Sequence, residues 1–427
     1  MTINLPQNPT GAQFEDHVSA ALKALGYFVE SRLILKDSGK EILELDHIAT
    51  PAVGPNGDRI LFEVKRTAIK FPNLFKVFGQ RTWLGISKAK LVSIAAPSDA
   101  HLPVYQARGK ELDVEVCVHD PSASTPTALA VQLNQLTSAE LELITSVGWY
   151  QEVAKRLAGA EFNDERKLRP ESKAIADARE YAFNIHAAFF LTTPLARAEA
   201  LYSAYQNSPK MAGAALTEVS PDPASEPRMW NKVNDDGEWF WLQSIMRLEW
   251  TARIQIVKNA LDDYLQRGSS PAPSRSFSFG NDVITVPTHQ LPQSFFAGLA
   301  RLATHPNPTA IPYLFQVFIE VFGGFLFYND HRELELLSRM TGIAPDEIKP
   351  TLVLLDEFFG QQQSVFFTQQ NELLYLKLVP AFTKGTGAFL RYSLWADGDY
   401  AAAYPKSGWL LSRWHNAVYK LLSAELS

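Results

Sequence analysis

The sequence predicts an α/β amino-terminal domain over residues 1–125, a mainly helical region over 126–270, and an α+β carboxy-terminal region over 271–427. Three observations carry this division. Helix and strand signals alternate through the first 120 residues, whereas the apolar periodicity from there to about Gly268 is helical. Two stretches rich in Pro and Ser, HDPSASTPTA (His119–Ala128) and RGSSPAPSRS (Arg267–Ser276), read as the intervening loops. A chain of 427 residues, 46% apolar and 20% charged, has the composition of a folded, multidomain protein.

In chain order, Phe14, Val18, Ala21, Leu22 and Leu25 recur at helical spacing, and Gly26 is suited to stopping the helix, so Gln13–Leu25 is the first element. Tyr27–Leu35 alternates as a strand. After the SGK turn, ILELDHIAT (Ile42–Thr50) is a second strand, with Asp46 inside it. Pro51–Asp58 (PAVGPNGD) is dense turn chemistry, so a hairpin should return as RILFEVKR (Arg59–Arg66). In that strand Ile60, Phe62 and Val64 face one way while Leu61, Glu63 and Lys65 face the other. A helix near Leu74–Ile86, a strand at Leu91–Ala96 and a strand at Leu112–Val118 follow, giving the order α-β-β-β-α-β and a further strand.

The middle region opens with a capping-box pattern, Thr137 and Glu140, ahead of a helix running to Leu157. Further helices are expected at Glu171–Leu191, Leu195–Gln206 and Glu238–Gln266, with an irregular connection over 207–237. Trp230, Trp239, Trp241 and Trp250 are better suited to core packing than to base stacking. IPYLFQVFIEVFGGFLFY (Ile311–Tyr328) is interrupted by Gln316, Glu320 and Gly323-Gly324, so it reads as a buried helix and not a membrane span. Glu333–Gly360 reads helix, turn, helix, and two strands follow, an order resembling a winged helix. Pro350 falls in the middle of its second helix, where it should interrupt hydrogen bonding. That helix also carries Asp346, Glu347, Asp356 and Glu357 against a single Lys349, which favours a protein contact over DNA reading.

Several function classes are excluded. Cys117 is the only cysteine, so there is neither an intrachain disulfide nor a thiolate zinc site, and a reducing, cytoplasmic location is expected. The first residues lack a secretory pattern. No phosphate-binding P-loop and no Gly-x-Ser-x-Gly elbow is present. The nine histidines lack metal-ligand spacing, and His47 should face away from Asp46. A net charge of -6 argues against a surface that grips nucleic acid throughout. One tract runs against that trend: Val64–Ser98 holds Lys65, Arg66, Lys70, Lys76, Arg81, Lys88 and Lys90 and no acid, a local attraction for a phosphate backbone.

A strand that puts a carboxylate and an ammonium at alternate positions of an apolar run violates its pattern, and such violations mark function. Together with the succession of elements, Asp46 in ELDHIA and Glu63-Val64-Lys65 in FEVKR resemble the PD-(D/E)xK, or restriction-endonuclease-like, nuclease superfamily over about residues 11–120. The resemblance implies a mixed sheet flanked by helices and a metal-dependent phosphodiesterase. It assigns Asp46, Glu63 and Lys65 to the catalytic core, Glu15 on the first helix to the metal set beside Asp46 and Glu63, and Gln80 to the neighbourhood of the scissile phosphate. Leu45 stands where the family's name has proline. Mg2+ or Mn2+ is the implied cofactor and DNA the implied substrate, with restriction or anti-phage defence as a setting. Arg66, Lys70, Lys76, Arg81, Lys88 and Lys90 would meet the backbone. A homodimer or protein partner would engage the carboxy-terminal regions. A catalytically silent binding or assembly module, or an RNA-cleaving enzyme, is the alternative.

Overall fold

The computed structural model describes residues 8–37, 40–53, 58–95, 101–121, 126–146, 193–207, 236–268, 274–279, 282–287, 293–322, 325–327, 331–355, 367–370 and 373–376, with a few isolated positions between them. The expected helix at Glu171–Leu191, most of the 207–237 connection and the 54–57 turn lie outside the described residues, as do the side chains of the four tryptophans.

Helix α1 spans Gly11–Ala24. Thr10 caps it: its Oγ1 accepts from the Gln13 N–H at 3.2 Å, and the Gln13 side chain accepts from the Thr10 N–H at 2.7 Å. Gly26 ends the turn at φ +101°, a conformation that favours glycine. Strands β1 (Tyr27–Asp37), β2 (Lys40–Pro51), β3 (Ile60–Lys65), β4 (Lys88–Ser93) and β5 (Val114–Val118) form one sheet in sequence order. The β1–β2 and β2–β3 pairs are antiparallel; β3–β4 and β4–β5 are parallel. A parallel neighbour needs a crossover. Helices α2 (Phe71–Trp83) and α3 (Leu102–Glu111) supply the two required here. The sequence pattern misses α3, because LPVYQARGKE buries little besides Gly109 and so has no apolar stripe.

The two faces of the sheet feed different layers. Phe62 and Val64 join Phe14, Val18 and Leu22 of α1, while Leu61 and Leu91 join Leu74 and Val77 of α2. The expected alternation of β3 is therefore present.

Beyond residue 125 lie α4 (Pro194–Asn207), α5 (Asp236–Arg267), the hairpin β6 (Ser274–Phe279) and β7 (Asp282–Pro287), then α6 (Gln293–Ala303) and α7 (Ala310–Glu320). Strand β6 overlaps the expected 267–276 loop, because Phe277 and Phe279 alternate with serines and pair across to Ile284 and Asp282. Helix α7 is buried along its whole length and ends at Glu320, so Phe325–Phe327 is extended as β8 and not helical. No helix among the described residues is long and apolar enough to cross a membrane. The chain continues as α8 (His331–Thr341), α9 (Pro345–Val353), β9 (Phe367–Gln370) and β10 (Leu373–Leu376), with β10 between β8 and β9 in an antiparallel sheet. Pro350 sits inside α9 without ending it at once; the helix runs three residues further.

Helix α7 is the link between these layers. The Gln316 side chain accepts from Val29 N at 2.9 Å and donates to Val29 O at 2.7 Å, so it satisfies backbone groups on the edge strand β1. Tyr313 donates to the Lys23 carbonyl at 2.5 Å. Lys23 itself, 1% exposed, is paired with Glu152 and with Glu320 of α7. The apolar core is correspondingly continuous from Phe14 to Phe358.

Candidate active site

The β2–β3 ladder stops at the His47–Phe62 pair. One residue beyond, Asp46 Oδ2 accepts the Val64 N–H at 2.6 Å, so a side chain replaces the next backbone acceptor. On the other side of β2, the pairs Ser31–His47 and Leu33–Leu45 flank Arg32, which the register skips and which stands at φ +51°. A non-glycine residue in the left-handed region is strained by about 1–3 kcal/mol and persists where its surroundings over-determine it. Here they do: the Arg32 guanidinium donates to Asp16 at 2.6 Å and to the Ala12 carbonyl at 3.1 Å, and lies 3.5 Å from Glu15. Both α1 acids are thereby tied to the level of the sheet where Asp46 leaves the ladder.

Glu63 is fully buried. Its Oε1 receives the ammonium groups of Lys65 and of Lys76, each at 2.5 Å, and its Oε2 has no hydrogen-bond partner. Lys65 Nζ also lies 3.2 Å from the Val64 carbonyl and 4.0 Å from Asp46 Oδ2. A cationic centre is thus surrounded by two carboxylates and a carbonyl. The electrostatics agree. Burial, then the charges of Glu63 and Glu15, push the Asp46 carboxyl up to about 7, while Lys65 and the Val64 N–H work against that rise. Glu15 is raised mainly by burial, with Arg32 opposing and Glu44 and Asp16 adding to the rise. For Lys65, burial lowers the pKa, but Glu63 and Asp46 together outweigh it and the net shift is upward. Acids crowded and desolvated in this way are stabilised by positive charge.

The remaining predicted residues divide. Gln80, on α2, is buried; its Nε2 donates to the Glu44 carbonyl at 3.3 Å, two residues before Asp46, and its Oε1 has no partner. Arg66 and Lys70 are exposed in the segment that follows β3. Lys76 is drawn into the site by Glu63. Arg81 instead donates to the Ile86 and Ser87 carbonyls at 3.2 and 2.9 Å, and Lys88 and Lys90 lie 3.7 and 2.8 Å from Asp58 and Glu115. The parallel β3–β4 register sets Lys88 beside Ile60 and Ser93 beside Lys65, so Lys88 is about 16 Å further down the sheet. Lys90 pairs with Phe62, and by alternation both Lys88 and Lys90 stand on the face of the sheet opposite Glu63 and Lys65, so the acid-free tract is divided between the two faces.

His47 faces the α1 layer, as expected from alternation; burial, followed by the Arg32 charge, lowers it to about 3. Among the described residues, no three His, Cys, Asp or Glu side chains are gathered as a ready metal-holding group. Asp46 and Glu63, with the Val64 carbonyl, gather around the Lys65 ammonium instead. Arg32, Asp16 and Glu44 are parts of this site that the sequence pattern does not reveal. Glu44 adjoins Asp46 in ELD, but Arg32 lies in a strand whose alternation gives no sign of its backbone turn.

No protein-family model, curated protein or solved structure matches the chain.

Proposed function

We propose that the chain is a metal-dependent nuclease of the PD-(D/E)xK kind that hydrolyses phosphodiester bonds in DNA, with residues 1–125 carrying the chemistry. The supporting observation is the meeting of Asp46, Glu63 and Lys65 at one end of the β2–β3 pair, with Glu15 drawn alongside through Arg32. The element order and mixed five-stranded sheet are in keeping with it.

The donor set suits a hard divalent ion. Asp46, Glu63 and the Val64 carbonyl are oxygen donors, the Lys65 ammonium among them is a stand-in for positive charge, and Glu63 Oε2 is a buried acceptor without a partner. Mg2+ or Mn2+ held there would polarise the phosphoryl oxygen and lower the pKa of an attacking water. The chain's own groups do the rest. Lys65 is partly exposed, so its Nζ can turn from Glu63 towards the phosphate and stabilise developing negative charge. Glu15 can accept a proton at the rim of the site, since its raised pKa makes it a better base than an ordinary glutamate. Gln80 acts through Glu44, fixing the strand that presents Asp46, and is a positioning residue. Arg66, Lys70 and Lys76 line the approach for a phosphate backbone.

In the carboxy-terminal region, the order α7, β8, α8, α9, β9, β10, with β10 between its two partners, supports a winged-helix unit. Its second helix begins with Asp346 and Glu347, which favours a protein partner or a second copy of the chain over a DNA groove. Restriction or anti-phage defence is a setting consistent with such a pairing. A second reading, a nuclease fold that binds DNA without turnover, draws on one observation: Glu63 already has two ammonium partners.

Incubation of plasmid and of single-stranded DNA with the protein in Mg2+ or Mn2+ tests the proposal. Asp46→Ala and Lys65→Ala should each lower cleavage by about 10²-fold or more. Equal cleavage by all three proteins would defeat it, and binding without cleavage by the wild type would favour the silent module.

A further inference from the structure

Four aromatic side chains adjoin one another along α2 and α3 beside the site, with Phe71, Phe75 and His101 exposed and Tyr105 half-buried against the core beneath. The His101 and Tyr105 rings are stacked with centroids 6.0 Å apart, Tyr105 lies 5.7 Å from Phe71, and Phe71 meets Phe75 edge to face at 5.4 Å. Phe71 is 38% exposed and Phe75 54% exposed, although large apolar side chains are ordinarily withdrawn from water. Neither belongs to the core clusters beneath, to which α2 contributes Leu74 and Val77. The row is also framed by cations. Lys70 precedes Phe71, Lys76 follows Phe75 and reaches Glu63, and Arg66 is exposed between β3 and α2. No acid occurs between Val64 and Ser98.

We propose that this row is a stacking platform for unpaired nucleobases, so that the substrate is DNA with a single-stranded stretch lying across α2 and α3 while its backbone enters at Lys76. For the identity of its ligand this rests on the nuclease function proposed above. The chemistry fits a single strand better than a duplex or a protein. Every base has a face that stacks on an aromatic ring, and the flanking ammonium and guanidinium groups track phosphates. In a duplex the base faces are already stacked on one another, so exposed rings add little. A second copy of the chain would set Lys70, Lys76 and Arg66 against like charge in any symmetric contact centred on the row.

Fluorescence anisotropy of a labelled oligothymidylate, in EDTA and with the Asp46→Ala protein, reads the platform without any cleavage. The single strand should bind at least tenfold tighter than a duplex of equal length. Phe75→Leu and Phe71→Leu, which keep apolar bulk but remove the ring, should each weaken single-strand binding by about tenfold and leave duplex binding within twofold. Unchanged melting temperatures would confirm that both variants fold. No preference for the single strand, or no loss in either variant, would overturn the platform. So would a wild type that sediments as a dimer and becomes monomeric in the variants. An RNA strand of the same length that binds tenfold tighter than the DNA would overturn the choice of DNA. The two proposals separate cleanly: ring-dependent binding by a protein that never cleaves would defeat the nuclease alone, and cleavage indifferent to both rings would defeat the platform alone.

Discussion

Lys65 Nζ touches Glu63 at 2.5 Å and stands 4.0 Å from Asp46, so the ammonium occupies the space between the two carboxylates that would hold a metal. In the metal-free protein it offsets their repulsion; with metal present it competes with the ion. Lys65→Met should therefore bind Mn2+ at least as tightly as the wild type while cleaving DNA about 10²-fold more slowly. Calorimetric titration together with a cleavage assay checks both halves. Weaker Mn2+ binding in the variant would contradict the competition between ammonium and ion.

Asp46 provides a pH test of the same cluster. Its folded pKa, about 7, lies above the ordinary carboxylate value. A raised pKa contributes stability that is fully present below the unfolded pKa and is lost as pH rises through the folded one. In EDTA, Asp46→Asn should therefore be more stable than the wild type at pH 8, and the gap should close towards pH 5. Urea midpoints at the two pH values read this out. A gap of the same size at both would mean that Asp46 is not the titrating group.

Lys23 joins three parts of the fold, because its ammonium, buried on α1, meets Glu152 and Glu320. Removing one partner from a buried ionic group typically costs about 3–5 kcal/mol, since the remaining charge loses its counter-ion. Lys23→Met should show a loss of that order by urea denaturation. Combining it with Glu152→Gln and Glu320→Gln should recover most of the loss. A single variant within about 1 kcal/mol of wild type would show that the group contributes little net stability.

Much of the amino-terminal sheet is legible in the sequence because its signals are local. The alternation in RILFEVKR sets Glu63 and Lys65 on the α2 face, and the helical spacing of Phe14, Val18 and Leu22 marks α1, although the Thr10 cap starts that helix two residues before Gln13. What escapes is what tertiary structure decides. The left-handed backbone at Arg32 has no sequence signature, since it is held by Asp16 and the Ala12 carbonyl from another element. The acid-free tract reads as one patch in the sequence, yet the parallel β3–β4 register pairs Lys88 with Ile60 and Lys90 with Phe62, on the face of the sheet opposite Glu63 and its partner Lys76. Helix α3 is required by the parallel β4–β5 pair and is visible only once that pairing is known. Exposed Phe71 and Phe75 likewise look like core residues until Leu74 and Val77 are seen to fill the layer beneath α2.

A last consequence concerns acid stability. His17 of α1 and His119, just beyond β5, face each other with their Nε2 atoms 3.1 Å apart, so one ring donates and the other accepts, and neither can be charged without loss. Burial lowers His17 to about 3, the His119 charge adding to the effect, and lowers His119 to about 4. Both folded values lie below the ordinary histidine value. The stability they contribute is therefore present above about 6.5 and is lost as pH falls through the folded values, a loss on the order of a few kcal/mol. The double variant His17→Phe/His119→Phe keeps ring packing against Phe14 but cannot titrate. Its urea midpoint should fall less steeply than that of the wild type between pH 6.5 and 4. Parallel slopes would show that acid acts through other groups, because any contribution from the carboxylates is common to both proteins.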